Sequence, residues 1–356
     1  MGLNRLALLP GLRRLGPIKL SAACVLLWLA ASSPAAAAQL RGGVQRATGV
    51  SWRSFDPKTG RKISAVTAAK AWPEDDKTYR VQRPQVVLYG TEYKIYVTSE
   101  GGTVVVEDRR SISCALEGDV TVRVADPGKT VVKIDKLEWV AADRVLRSDS
   151  PVQVMRTDLT VKGVGMELRP EEGKKELRFI QIKHDMEAQI SPKASTSAIF
   201  SSVTGTSERK TDAGDKGPPM FISSKGPMTI NRDTNIITFE ENVEARRGPF
   251  TIRCDKLTMS FDPEANKVKD ILARGSVRAF DGENGASGDA LSWDALSGLV
   301  EIVGSPAKTW RSAATVSSRI IWFSQKDGKA LWTGRAHIYA PPEGPALLKR
   351  FGGARQ

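Results

Sequence analysis

The 356 residues are enough for two ordinary domains, and 40% apolar residues are enough for globular folding. The formal net charge is +13; the first 38 residues carry Arg5, Arg13, Arg14 and Lys19 and no acid, so the remainder keeps +9. Such a basic body suits an anionic partner (nucleic acid, anionic lipid or a phosphorylated sugar) or is only a solvated surface. None of the three cysteines, Cys24, Cys114 and Cys254, pairs with another at metal-ligand spacing, which leaves a thiolate metal site out.

At the N-terminus, basic residues through Lys19 precede an apolar run, Leu20 to Ala31, then Ser32-Ser33-Pro34 and Ala35–Ala38 before Gln39. This is the order of a secretory signal, residues 1–38, with cleavage after Ala38. The uncharged span 20–38 is also long enough to stay as a membrane anchor, although Pro34 and the alanine tail are poor membrane material. Export argues against a nucleic-acid partner. Ser21-Ala22-Ala23-Cys24 has the look of a lipoprotein cleavage box, but its apolar run follows the cysteine, so a lipid anchor is rejected.

Residues 39–83 are weakly patterned and read as a flexible stalk with at most a short strand. Strand patterning starts near Val86 and runs to Ile190, through stretches such as GTVVVED and SISCALEGDVTVRVAD, giving a first β-module over 84–192. Residues 193–227 are rich in Ser, Gly, Lys and Pro and read as a flexible linker. A second β-module follows over 228–340. There apolar residues alternate, as in Phe250-Ile252-Cys254 and Leu257-Met259-Phe261, between turns such as Arg247-Gly248-Pro249 and Asp262-Pro263. Residues 341–356 are Pro/Gly-rich and read as a disordered tail. No stretch sustains helical spacing, so the class is all-β, and Cys114 and Cys254 fall in strands as small apolar residues.

The strands repeat. KIDKLEWVAADRVLRSDSPVQV (133–154) aligns with RCDKLTMSFDPEANKVKDILARGSVRA (253–279), SGDALSWDALSGLVEIVGSPAKTW (287–310) and SSRIIWFSQKDGKALWTGRAHIY (317–339). Each unit is strand, turn, strand, and buries one face only, so units must stack on neighbours. The segments GPMTINRDTNIITFEENVEARRG, DKLTMSFDPEANKVKDILARGSVRAFDG and ASGDALSWDALSGLVEIVGSPA resemble the LptA/OstA family. LEGDVTVRV, DKLEWVAADRVLRSDSPVQV and DLTVKGVGMELRP in the first module are similar to LptC. Ser305 stands where a turn Asn or Asp is expected, and the Ser-rich linker belongs to neither family.

The resemblance implies two elongated, open antiparallel β-jellyroll modules of the OstA kind, in the periplasm or tethered to the inner membrane by residues 20–38. It implies lipopolysaccharide, acyl chains and phosphates, as ligand, and other transport components of both membranes as partners. One strand parity, Ile237, Phe239, Val243, Phe250, Ile252, Leu257, Met259, Phe261, Val277, Trp293, Val300, Ile302, Ile321, Phe323 and Trp332, becomes the lipid groove; alternation alone marks burial and reads as an ordinary closed core. Arg246, Arg247, Arg253, Arg274 and Arg278 become phosphate contacts at the groove's mouth, or else solvated outward positions. Met228–Arg232 and Ala336–Tyr339 are the candidate edges for end-to-end self- or hetero-association. Catalysis is unsupported: His184 and His337 lie in separate modules, Gly163-Val164-Gly165 lacks a third glycine, and neither cofactor nor metal is expected. The alternatives are a structural envelope scaffold with this fold and no groove, or a polysaccharide-active β-solenoid enzyme.

Overall fold

The computed structural model describes residues 46–56, 58–90, 94–107, 111–125, 129–157, 159–169, 179–191, 218–231, 233–262, 268–294, 296–324 and 329–339. The chain divides into two units, residues 1–42 and 43–356, and every described residue lies in the second. The expected signal segment, the tail and most of the linker (192–217) lie outside the described residues.

Among the described residues twenty strands form one sheet: β1 (Ala47–Phe55), β2 (Lys62–Pro73), β3 (Thr78–Tyr89), β4 (Lys94–Thr98), β5 (Gly101–Val106), β6 (Ile112–Val124), β7 (Val131–Val140), β8 (Val145–Met155), β9 (Leu159–Arg169) and β10 (Phe179–Ile190). The second series is β11 (Met220–Ser224), β12 (Met228–Asn231), β13 (Ile236–Arg247), β14 (Phe250–Phe261), β15 (Val268–Asp281), β16 (Asn284–Asp294), β17 (Leu299–Arg311), β18 (Ala314–Ser324), β19 (Lys329–Thr333) and β20 (His337–Tyr339). Full-length strands pair antiparallel with their chain neighbours. Three strands are interrupted. β4 and β5 lie end to end between β3 and β6, β11 and β12 between β10 and β13, and β19 and β20 along β18.

The interruptions continue a line of irregularity that crosses the sheet. Register shifts fall at Glu117/Val120 in β6, Ser148/Pro151 in β8, His184/Glu187 in β10, Glu240/Val243 in β13, Arg274/Val277 in β15 and Val303/Ala307 in β17. Left-handed backbone makes the bend: Gly275 and Ser276 have φ of 76° and 46°, Glu241 and Asn242 of 64° and 51°. Glycine enters that region without steric cost, which is why β15 has one at its bend. Parity survives the bend, so Phe239 and Val243, or Ala273 and Val277, face the same way on either side of it. Each bent strand therefore gives two half-strands with a common apolar side. We call the half containing β5, β12 and β19 the A half, and that containing β4, β11 and β20 the B half. Their apolar sides meet in one hydrophobic cluster that extends from Trp52 to Ile321. Each fully buried Val, Leu or Ile in it contributes about 1.5–3 kcal/mol.

Three expectations need correction. Residues 39–83, read as a stalk, hold β1, β2 and the start of β3, with Trp52, Val66, Ala68 and Val81 buried. Alanine fills several inward positions of KISAVTAAKAWP, so its apolar contrast is too weak to register as alternation. The linker reading fails at its end, where β11 pairs β10 on one side and β13 on the other. Through β11 and β12 the two modules share a continuous sheet, a stiffer joint than a linker alone. Finally, Met228–Asn231 is no free edge, since β12 lies between β10 and β13. His337–Tyr339 pairs only β18 among the described residues, and all three residues are exposed.

Candidate functional site

Cross-strand registry aligns the inward side chains into rows that run through both modules. In the A half one row passes through Tyr79, Val104, Cys114, Trp139, Leu146, Leu168, Ile180, Ile230, Ile237, Met259, Ile271, Trp293, Val300, Phe323 and Ala330. No polar residue interrupts it. A second A-half row, nearer the bend, runs Met166, Ile182, Met228, Phe239, Leu257, Ala273, Leu291, Ile302, Ile321 and Trp332. The B half supplies Trp52, Val66, Val86, Val97, Val122, Val132, Val154, Val161, Ala188, Ile222, Ala245, Ile252, Ala279, Ala286, Thr309, Val316 and Ile338.

The groove residues read from sequence all face this interior. Ile237, Met259, Trp293, Val300 and Phe323 stand on the first A-half row. Phe239, Leu257, Ile302, Ile321 and Trp332 stand on the second. Ile252 is on the B-half row, with Val243, Phe250 and Val277 beside it. Their packing is close: Met259, Val300, Ile302 and Ile321 are 0% exposed. The A-half tips are less covered, with Tyr79, Val106, Ile230, Ile237, Phe261 and Phe323 half-buried against the cluster; Trp332 on β19 and, in the B half, Val50 and Leu159 are half-buried as well. The sequence reading missed the first-module part of the rows. The repeat held the signal, since it sets Trp139 of DKLEWV against Trp293 of DALSWD.

The interior is not wholly without polarity. The indole N–H groups of Trp139, Trp293 and Trp332 and the Thr309 hydroxyl are buried without a hydrogen-bond partner. By contrast the outward Trp322 indole donates to Glu301 Oε1 at 2.8 Å. Burial pushes the Cys114 thiol up to about 12, and burial, with Asp255 adding to it, pushes Cys254 to about 12. Both are free, buried thiols.

The five arginines do not gather at a mouth. Arg247 is buried at 6% exposure on the inward side of β13. Arg246, Arg253 and Arg278 are exposed on the outer face of the B half, and Arg274 is exposed beside the bend. Arg246 and Arg253 both bind Glu244, Arg253 Nε lying 2.6 Å from its Oε2. Among the described residues no three His, Cys, Asp or Glu side chains assemble as a metal site, and no helix is long and apolar enough to cross a membrane.

Comparison with known families gives two matches, one in each half of the chain. Residues 20–178 match the model for "Lipopolysaccharide-assembly, LptC-related", and residues 223–329 that for "LptA/(LptD N-terminal domain) LPS transport protein". Both descriptions name transport or assembly, not a reaction. Among solved structures the chain is similar to LptH of Pseudomonas aeruginosa, described as the LptA homologous periplasmic component of the lipopolysaccharide transport device. The identity is 10%, the TM-score 0.31, and the match covers 35% of this chain and 96% of that one. Comparison with curated proteins gives no match. Residues 20–178 thus match an LptC-related family and residues 223–329 the LptA/LptD N-terminal family, so both modules carry family likenesses to lipopolysaccharide transport.

Proposed function

We propose that this chain carries lipopolysaccharide in the periplasm along one apolar track running from its LptC-like into its LptA-like module. What supports the reading is the uninterrupted A-half row from Tyr79 to Ala330, which crosses the junction through Ile180, Ile230 and Ile237. Fifteen side chains at about 4.8 Å per strand make a track on the order of 65 Å. Exposing one long acyl chain to water costs on the order of 10 kcal/mol, at about 0.8 kcal/mol per CH₂. An apolar path removes that barrier, and a covalent joint between modules removes a step at which the lipid could be lost. Because the interior is packed, an acyl chain enters by parting the two halves at the A-half tips, where Ile237, Phe261 and Phe323 are half-buried. The unpaired indole N–H groups then meet acceptors on the lipid.

In this reading residues 20–38 export the chain or tether it to the inner membrane, the LptC-like module receives lipid, and the LptA-like module passes it outward. The exposed β20, with Ile338 and Tyr339 at 60% and 69% exposure, joins the next component or another copy by strand addition. The test places photo-crosslinking residues at Phe261, at Trp293 and at the outward Lys269 in cells. Capture of lipopolysaccharide at Phe261 and Trp293 but not at Lys269 is expected; capture at Lys269 alone would sink the track.

A further inference from the structure

The outer face of the B half carries a second feature, remote from the apolar interior. On β15, Arg278 and Phe280 point outward; across β16 they meet Ser287 and Gly285; beyond those, on β17, stand Lys308 and Trp310. β16 is thus a shallow floor between two walls, each with one cation and one aromatic ring. The floor needs glycine: a Cβ on Gly285 would lie 2.5 Å from Trp310 Cζ2 and 2.9 Å from Phe280 Cβ. The Arg278 guanidinium sits 5.7 Å from the Phe280 ring centre and 5.4 Å from that of Trp310. The Arg253 guanidinium also lies over Phe280, at 5.5 Å, so Arg278 is held among aromatic rings, and its N–H groups suit bidentate contact with an oxyanion.

The charges are left available. Glu244, the nearby acid, is taken by Arg246 and Arg253, and among the described residues no carboxylate lies within ion-pair distance of Arg278 or Lys308. We propose that Arg278, Lys308 and the Ser287 hydroxyl hold the phosphate of a phosphorylated saccharide, whose apolar ring face lies on Trp310. The ligand is a soluble or polymeric glycan phosphate and not a lipid headgroup. The site faces away from the interior, so acyl chains held inside cannot bring their own headgroup to it.

The test measures binding of a mannose pentasaccharide 6-phosphate to the purified full chain, with the same sugar after phosphatase treatment beside it. Binding that falls at least about tenfold without the phosphate, and again in Arg278→Gln/Lys308→Gln, is expected, with Trp310→Ala weakening it separately. The Gln variants sit on exposed positions, and unchanged thermal unfolding checks their fold. Equal binding of the phosphatase-treated sugar, or full binding by the double variant, overturns the proposal. So does tighter binding of a single-stranded oligonucleotide, or binding seen only with vesicles carrying a phosphorylated glycolipid.

Discussion

The two modules share one backbone plan and fill it differently. In the first, the B-half row is almost all valine: Val66, Val86, Val97, Val122, Val132, Val154 and Val161. From the junction onward it alternates small and large, Ala188, Ile222, Ala245 and Ile252, before Ala279, Ala286 and Thr309, while the A-half rows carry Phe239, Met259, Trp293 and Phe323. Uniform β-branched side chains suit a pleated surface and fill it evenly. Large rings among alanines depend on shape complementarity, and such packing is the easier to rearrange. Under the proposed function, the first module would be the more rigid receiver and the second the place where the two halves part around a lipid.

The largest test of this contrast is truncation of the two repeat-related tryptophans. Trp139→Ala and Trp293→Ala should each cost about 3–5 kcal/mol in urea unfolding, because both rings are 3% exposed and leave a large cavity. A cost under about 1 kcal/mol at Trp293 would mean that the second module is not packed around this ring. Next is the joint. Ile222 is central in β11 and pairs Ala188 on one side and Ala245 on the other. Ile222→Pro removes a donor from this ladder and should cost about 3 kcal/mol, splitting a single thermal transition into two. Excision of residues 193–217 leaves β11 in place and should preserve the single transition. If the excision splits it instead, the linker and not the sheet couples the modules.

A smaller effect separates packing from polarity. Trp293→Phe keeps most of the ring and deletes an N–H that has no partner, so stability should change by less than about 1 kcal/mol in either direction. Lipopolysaccharide capture at Phe261 should nevertheless fall, if the indole meets an acceptor on the lipid. Unchanged capture would remove the indole from the site.

Much of this was readable before any coordinates. Alternation of Leu257, Met259 and Phe261 gave the strand class and the inward set, because period two is fixed by the pleat. The bend at Gly275-Ser276 left its mark as the Gly of the repeat. Three things were hidden. Ala68 and Ala71 are buried but too small to raise the contrast of β2. β11 is five residues long and follows a polar stretch, so only its pairing with β10 and β13 identifies it as a strand. The arginines gave charge without direction: Arg253 and Arg278 could be placed on the outer face only once the register with Glu244 and Ser287 was known.

The smallest expected effect is kinetic, and the two buried thiols report on the two modules separately in a Cys24→Ser background. Cys114 lies between Val104 and Trp139 in the A half of the first module, and Cys254 opposite Val243 in the B half of the second. With both held near 12, each thiol is protonated at pH 8, and alkylation needs the halves to open. Once opened, the thiol has the ordinary cysteine pKa of about 8.5, so both labelling rates should climb about threefold as pH is raised from 8 to 9. Cys254 should label first if the second module is the one whose halves part. Faster labelling of Cys114 would reverse the assignment of the rigid and the yielding module, and with it the direction in which the interior opens.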